Sequence, residues 1–225
     1  MCSSDLTGSN RAPSAERRDY STTGIDFMVT RLIKHTASEY LTLERQAETR
    51  SEFRDGEIVP LPHCGIRHCR IATNLIGTVG IALKHVQPTL YGNDLRIHVP
   101  HTGLYTYPDA SIVCGPIELA DGQDDVLLNP TVLFEVLSDI TEAYDRGQKF
   151  ANYRRIAILR EYVLVSEDEP LIERFLRNSD DTWTLTESRG LNATLSLASV
   201  GISIPLSEVY DRVDFTNPEP DAAAK

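Results

Sequence analysis

Three short segments, TYPDASIVCG, NPTVLFEVLS and YDRGQKFANYRR, follow one another within about fifty residues. The first two read as strands and the third as a helix, so Asp109, Glu135 and Lys149 can be carried to a common point. Two carboxylates can hold a hard divalent cation that accepts oxygen ligands and keeps some waters, while a lysine orients or activates one of those waters. That is the chemistry of phosphodiester hydrolysis.

Taken singly, the three residues differ in weight. A Pro-Asp step at a strand edge, as at Asp109, is common turn chemistry. Glu135 sits inside TVLFEVL, an otherwise apolar strand, where an unpaired carboxylate costs several kcal/mol. If alternation turned Glu135 to solvent, Leu133 and Leu137 would share its face. The pattern therefore fits a strand buried on both sides that carries one functional acid. Asp145, Lys149 and Tyr153 are four apart and share a helix face. Alone, Asp145 and Lys149 would be an exposed ion pair of about 0.3–0.5 kcal/mol. The combination favours a site, because a strand-borne acid is followed, after a short loop, by a helix that projects a lysine back toward the strand end.

The elements that must position these residues are legible in outline. Thr36 or Ser38 caps a short helix offering Tyr40, Leu41 and Leu43. SEFRDGEIVPL predicts a hairpin around Asp55-Gly56. A helix is expected from about Arg67 to His85, where Ile71, Leu75, Ile76, Val79 and Leu83 recur at helical spacing. A strand pair follows, about Leu90 to Val99 and Tyr105 to Cys114, then a strand over Thr131 to Leu137 and a helix over Asp145 to Ile158. Strands are expected again at Glu161 to Ser166, LIERFLR, TWTLTES and part of SVGISIP. The order predicts an α/β or α+β domain, with one mixed sheet flanked by helices.

The chain has 225 residues, enough for one well-buried domain, with 41% hydrophobic and 24% charged residues, both ordinary globular values. Residues 1–27 are polar and without hydrophobic periodicity, which predicts a disordered extension; the domain is expected over 28–214 and a flexible tail over 215–225. No apolar run approaches the roughly 20 residues of a membrane span, and MCSSDLTGSN lacks a signal-peptide core. A cytoplasmic protein with its four cysteines as thiols is the expectation. The net charge of −11 argues against coating nucleic acid through a general basic surface, but a bound cation would offset its own carboxylates locally. Arg154 and Arg155 add a small basic patch.

The run PHCGIRHC offers a competing constellation in His63, Cys64, His68 and Cys69, all possible zinc ligands. Two adjacent pairs five apart match no usual zinc spacing. Thiols packed at the start of a helix are the simpler expectation.

YPDASIVCG, FEVLSDITEAYDRGQKFANYR and REYVLV, together with SEFRDGEIV and the closing VGISIPLSEVYDRV, resemble the Uma-type putative restriction endonuclease family, a branch of the PD-(D/E)xK nuclease superfamily. The resemblance runs from about Ser38 to Val213. It implies a restriction-endonuclease-like fold in which Asp109 is the motif aspartate, Glu135 the second metal ligand and the Val136 carbonyl a further one. The lysine expected two residues after the glutamate is Leu137 here, so the resemblance moves that role to Lys149. Glu52 falls where the family pattern has an acid before an Asp-Gly turn, and either faces the metal or pairs with an arginine. His68 stands where the pattern has a histidine, more suited to bonding backbone or phosphate than to acting as base. The reading is a DNA endonuclease using Mg2+, or Mn2+, and a homodimer, since a duplex cut needs two centres. The alternative is a nuclease-fold module without activity that binds nucleic acid or a protein partner.

Overall fold

The structure is a computed structural model and describes residues 34–120 and 124–216. The N-terminal extension expected over 1–27 and nearly all of the tail expected over 215–225 lie outside them. The described residues open with α1 (Ala37–Glu44), where Thr36 and Glu39 form a reciprocal capping box. The hairpin of β1 (Ser51–Arg54) and β2 (Glu57–Pro60) turns at Asp55 and Gly56, with φ of 52° and 83°. Both angles are positive, as a tight hairpin turn requires. A Cβ on Gly56 would lie 2.9 Å from the Lys34 side chain, which is exposed and can swing away, so it is the positive φ that favours glycine there.

The helix α2 spans Ile66–Ala82 and buries Ile71, Leu75 and Val79. Three such burials contribute about 5–9 kcal/mol against exposure, as an upper bound. The expected strand pair then divides. β3 (Thr89–Gly92) and β4 (Arg96–Val99) replace the first strand, and β5 (Leu104–Thr106) and β6 (Ala110–Val113) replace the second. The breaks fall at Asn93-Asp94 and at Tyr107-Pro108-Asp109, so β3 pairs with β6 in one sheet and β4 with β5 in another. After β7 (Val126–Leu127) comes β8 (Val132–Val136). The next helical segment begins earlier and ends sooner than expected. It comprises α3 (Glu142–Tyr144), a π turn (Asp145–Lys149) and α4 (Phe150–Tyr153). Beyond it lie β9 (Glu161–Val165), β10 (Leu171–Arg177), β11 (Trp183–Arg189), β12 (Thr194–Leu197), β13 (Ile202–Pro205) and α5 (Leu206–Val209).

The fold is mixed α+β, as its alternation of strands and helices predicts, but its strands form three sheets where one was expected. Their orders are β2-β1-β5-β4-β7, β11-β10-β9-β8-β6-β3 and β12-β13. The six-stranded sheet is the frame of the site. In it β8 pairs antiparallel with β6 and parallel with β9, so β8 is central. Alternation sends Val132, Phe134 and Val136 of β8 to one face, where they pack with Ile71, Leu75 and Val79 of α2. Leu133 and Leu137 go to the other face, against Phe150, Tyr153 and Tyr162.

Candidate active site

Glu135 is the one charged residue of β8, and its place in the alternation puts it on the face of Leu133 and Leu137. It is only 4% exposed. Burial of that kind demands partners, and the helical segment supplies them. Tyr153 of α4 donates its hydroxyl to Glu135 Oε1 at 2.9 Å, and Lys149 Nζ lies 2.9 Å from the same oxygen. Lys149 is itself buried and also meets Asp145 Oδ1 at 3.3 Å and Glu52 Oε1 at 3.4 Å. The solvated Asp145–Lys149 pair weighed from the sequence is therefore not what forms. Asp145 and Lys149 bound the π turn, whose wider winding is frequent at functional sites.

Glu52 reaches this cluster from β1. Its partners are Lys149 and the Thr106 hydroxyl, which donates to Oε1, rather than an arginine. Asp145 is further held by its backbone carbonyl, which accepts from the Tyr162 hydroxyl at 3.1 Å.

Three buried carboxylates thus face one buried ammonium, and the electrostatics follow from that imbalance. Burial pushes the Glu135 carboxyl well above its usual range; Lys149 opposes the shift, and Asp145 and Asp109 reinforce it. Burial works against the charge of Lys149, but Glu135, Tyr153, Asp145 and Glu52 outweigh it and hold the ammonium charged well above the usual amine range. Asp145 is also raised by burial, against the pull of Lys149. The ammonium stays charged, and the acid most surrounded by like charge is driven toward its neutral form.

Asp109 occupies the break between β5 and β6, where the paired strands part to enter different sheets. Its N–H donates to the Phe134 carbonyl at 3.0 Å, and its Oδ2 accepts from the Val136 N–H at 2.7 Å, tying it to the end of β8 beside Glu135. His68, in the first turn of α2, places Nε2 3.1 Å from the Val136 carbonyl and 3.6 Å from Asp109 Oδ2. Burial disfavours its charge, yet the Asp109 carboxylate, by hydrogen bond and by charge, raises the imidazole to about 9.

A cavity of about 470 Å³ opens onto this group. Glu52, His68, Asp109, Glu135, Val136 and Lys149 all line it, while Tyr153 stands behind Glu135 and does not. Arg50 and Arg54 also line it, Arg54 with its guanidinium 4.5 Å from the Tyr144 ring centre. Both arginines, with Asp145, Tyr144 and Thr106, were absent from the expected site. Asp145 was visible only as one end of an i,i+4 pair, and no local pattern marks the others.

The donors suit a hard cation. Glu135 meets Tyr153 and Lys149 through Oε1, and Asp109 accepts from Val136 through Oδ2, so each carboxylate keeps a second oxygen outside these contacts; the Val136 carbonyl accepts from His68 and has a second lone pair. Lys149 bridges Glu52 and Glu135 through their Oε1 atoms. Among the described residues, the three ligating side chains whose donor atoms lie within 4.8 Å of one another are instead Cys64, His68 and Cys69. His63 is not among them.

Residues 37–207 match the Uma2 family, described as "Putative restriction endonuclease". An uncharacterized protein of Synechocystis sp., sll1609, is 32% identical over 167 residues, covering 74% of this chain and 94% of that relative. A second, slr1290 of the same organism, is 31% identical over 182 residues, covering 81% and 94%. The crystal structure of a protein from Anabaena variabilis, titled a putative nuclease belonging to DUF820, superposes with a TM-score of 0.63 over 78% of this chain and 97% of that one. At 17% identity that likeness concerns the fold.

Proposed function

This chain belongs to the Uma2 family, and on that premise we propose that it hydrolyses DNA phosphodiester bonds with Mg2+, or Mn2+, as cofactor. The observation that carries the reading is the buried Lys149–Glu135 contact at 2.9 Å, opening onto a cavity that Asp109 also lines. A purely structural ion cluster has no need of that opening. Asp109, Glu135 and the Val136 carbonyl would hold the cation. When bound, it supplies neutralisation of phosphate charge and a polarised water.

The protein's own groups do the rest. Lys149 is too firmly protonated to act as a base, so its role is to donate hydrogen bonds to the attacking water or to a phosphate oxygen and to stabilise charge there. Glu52 and Asp145 also hold the ammonium, at 3.4 and 3.3 Å. Tyr153 orients Glu135, and His68 orients the Val136 carbonyl beside Asp109. Arg50 and Arg54 are placed to attract the phosphodiester to the mouth of the cavity. A duplex cut needs two such centres, which makes a homodimer part of the proposal.

Two observations favour a module without activity. Lys149 is already satisfied by three carboxylates, and the chain carries a net charge of −11. Incubation with supercoiled plasmid and with single-stranded DNA separates the two readings. Nicked or linear product with Mg2+ or Mn2+, and none with chelator, is the expected result. Intact DNA under every cation, or cleavage indifferent to chelator, would count against the nuclease.

A further inference from the structure

We propose that Cys64, His68 and Cys69 form a binding site for a thiophilic divalent metal of the zinc class, beside the carboxylate site and joined to it through His68. The spacing of five between the cysteines fits no usual zinc pattern along the chain, but the start of α2 resolves it. Gly65 is the N-cap, so Cys64 precedes the helix and Cys69 lies one turn in, and the first turn folds them together with His68. Their donor atoms lie within 4.8 Å of one another. Tetrahedral zinc, with Zn–S about 2.3 Å and Zn–N about 2.0–2.1 Å, needs donors about 3.5–3.8 Å apart. The remaining contraction of about 1 Å is within side-chain rotation, since Cys64 is exposed and Cys69 half-buried.

The second observation is His68 itself. Its Nε2 is committed to the Val136 carbonyl, while Nδ1 is buried with no hydrogen-bond partner. A buried ring nitrogen without a partner is costly, and a metal-bound histidine characteristically donates its other N–H to a carbonyl or carboxylate. His68 has that outer bond already. The simpler reading, two thiols stapling the helix start, buries little because Cys64 is exposed, and it leaves Nδ1 unexplained. Binding would release both thiol protons and the imidazolium proton of His68, and pair two thiolates and the resulting neutral imidazole with the dication. Its fourth position would stay open to solvent.

The test uses the full chain with Cys2 and Cys114 replaced by serine, reduced and anaerobic, titrated with Co2+ as a spectroscopic stand-in for zinc. One equivalent should give thiolate-to-cobalt charge-transfer absorption and the intense visible bands of tetrahedral coordination, and Zn2+ should displace it. Cys64→Ser and Cys69→Ser should each weaken binding at least about tenfold, and the double variant should lose the absorption. Zn2+ should also protect both thiols of the parent from alkylation, a readout that needs no variant to fold. No charge-transfer absorption, absorption that survives in the double variant, or recovery of Cys64 and Cys69 as a disulfide under these conditions would overturn the site. None of these readouts depends on nuclease activity.

Discussion

Replacing Lys149 with alanine removes the only ammonium among Glu52, Glu135 and Asp145, all of them buried. Breaking a buried ion pair from one side costs about 3–5 kcal/mol, because the partner charge is stranded in a low dielectric. For a domain of this size that is a fall of about 6–20 °C in Tm. Had the Asp145–Lys149 pair been solvated, the loss would be about 0.3–0.5 kcal/mol, near 1–2 °C. The two cases are separable by a thermal melt followed by circular dichroism at pH 8. The loss should shrink as the pH is lowered, because burial raises the carboxyls of Glu135 and Asp145, and once they take up protons they no longer need the ammonium. Adding Glu135→Gln to the alanine variant should restore part of the stability, since one stranded carboxylate is then gone. A drop under about 2 °C at pH 8, or one that does not depend on pH, would refute the picture of three carboxylates held by one ammonium.

The imidazole of His68 is raised from 6.5 to about 9, so the folded chain binds more protons than the unfolded chain in that window and stability falls as pH rises through it. The loss is at most about 3 kcal/mol, and urea midpoints of His68→Gln measured in chelator should be flatter than wild type between those pH values; parallel curves would remove the Asp109–His68 interaction from the account. Tyr153→Phe deletes the 2.9 Å hydroxyl bond to Glu135, and should cost about 1–3 kcal/mol and lower Mg2+ affinity about tenfold by calorimetry. An unchanged affinity would mean that Tyr153 does not orient Glu135. Thr36→Ala breaks the capping box, so Tm should fall by about 2–4 °C with cleavage untouched; a change in cleavage would tie α1 to the site in a way its position does not explain.

What the sequence made legible was local. The Asp55-Gly56 turn, the Thr36 cap and the apolar stripe of α2 each depend on residues within a few positions of one another, and each forms. Glu135 and Lys149 stood out because an acid in an apolar strand and a lysine on the next helix are anomalies that need no partner to be noticed. The rest was set by register between distant segments. That the pair over 90–114 would part into two sheets follows from where β1 and β8 dock, so the break at Asp109 read as turn chemistry when it is the fork itself. Glu52 could not be assigned a partner, because Lys149 is brought to it only through the meeting of two sheets. The π turn was invisible since its extra residue is stabilised by the burial of Asp145 and Lys149, a tertiary effect. Cys64 and Cys69 were discounted on spacing along the chain, whereas the start of a helix brings the residue before the cap against the fourth residue after it.

The central claim is that Asp109 and Glu135 together make the site reactive. Single-turnover cleavage of plasmid DNA by wild type, Asp109→Asn and Glu135→Gln in Mg2+ tests it most directly, since both substitutions keep the side-chain shape and remove the charge. Both variants should be folded, by circular dichroism, with cleavage reduced on the order of a hundredfold or more. Either variant cutting at the wild-type rate, in a preparation free of contaminating nuclease, would contradict it.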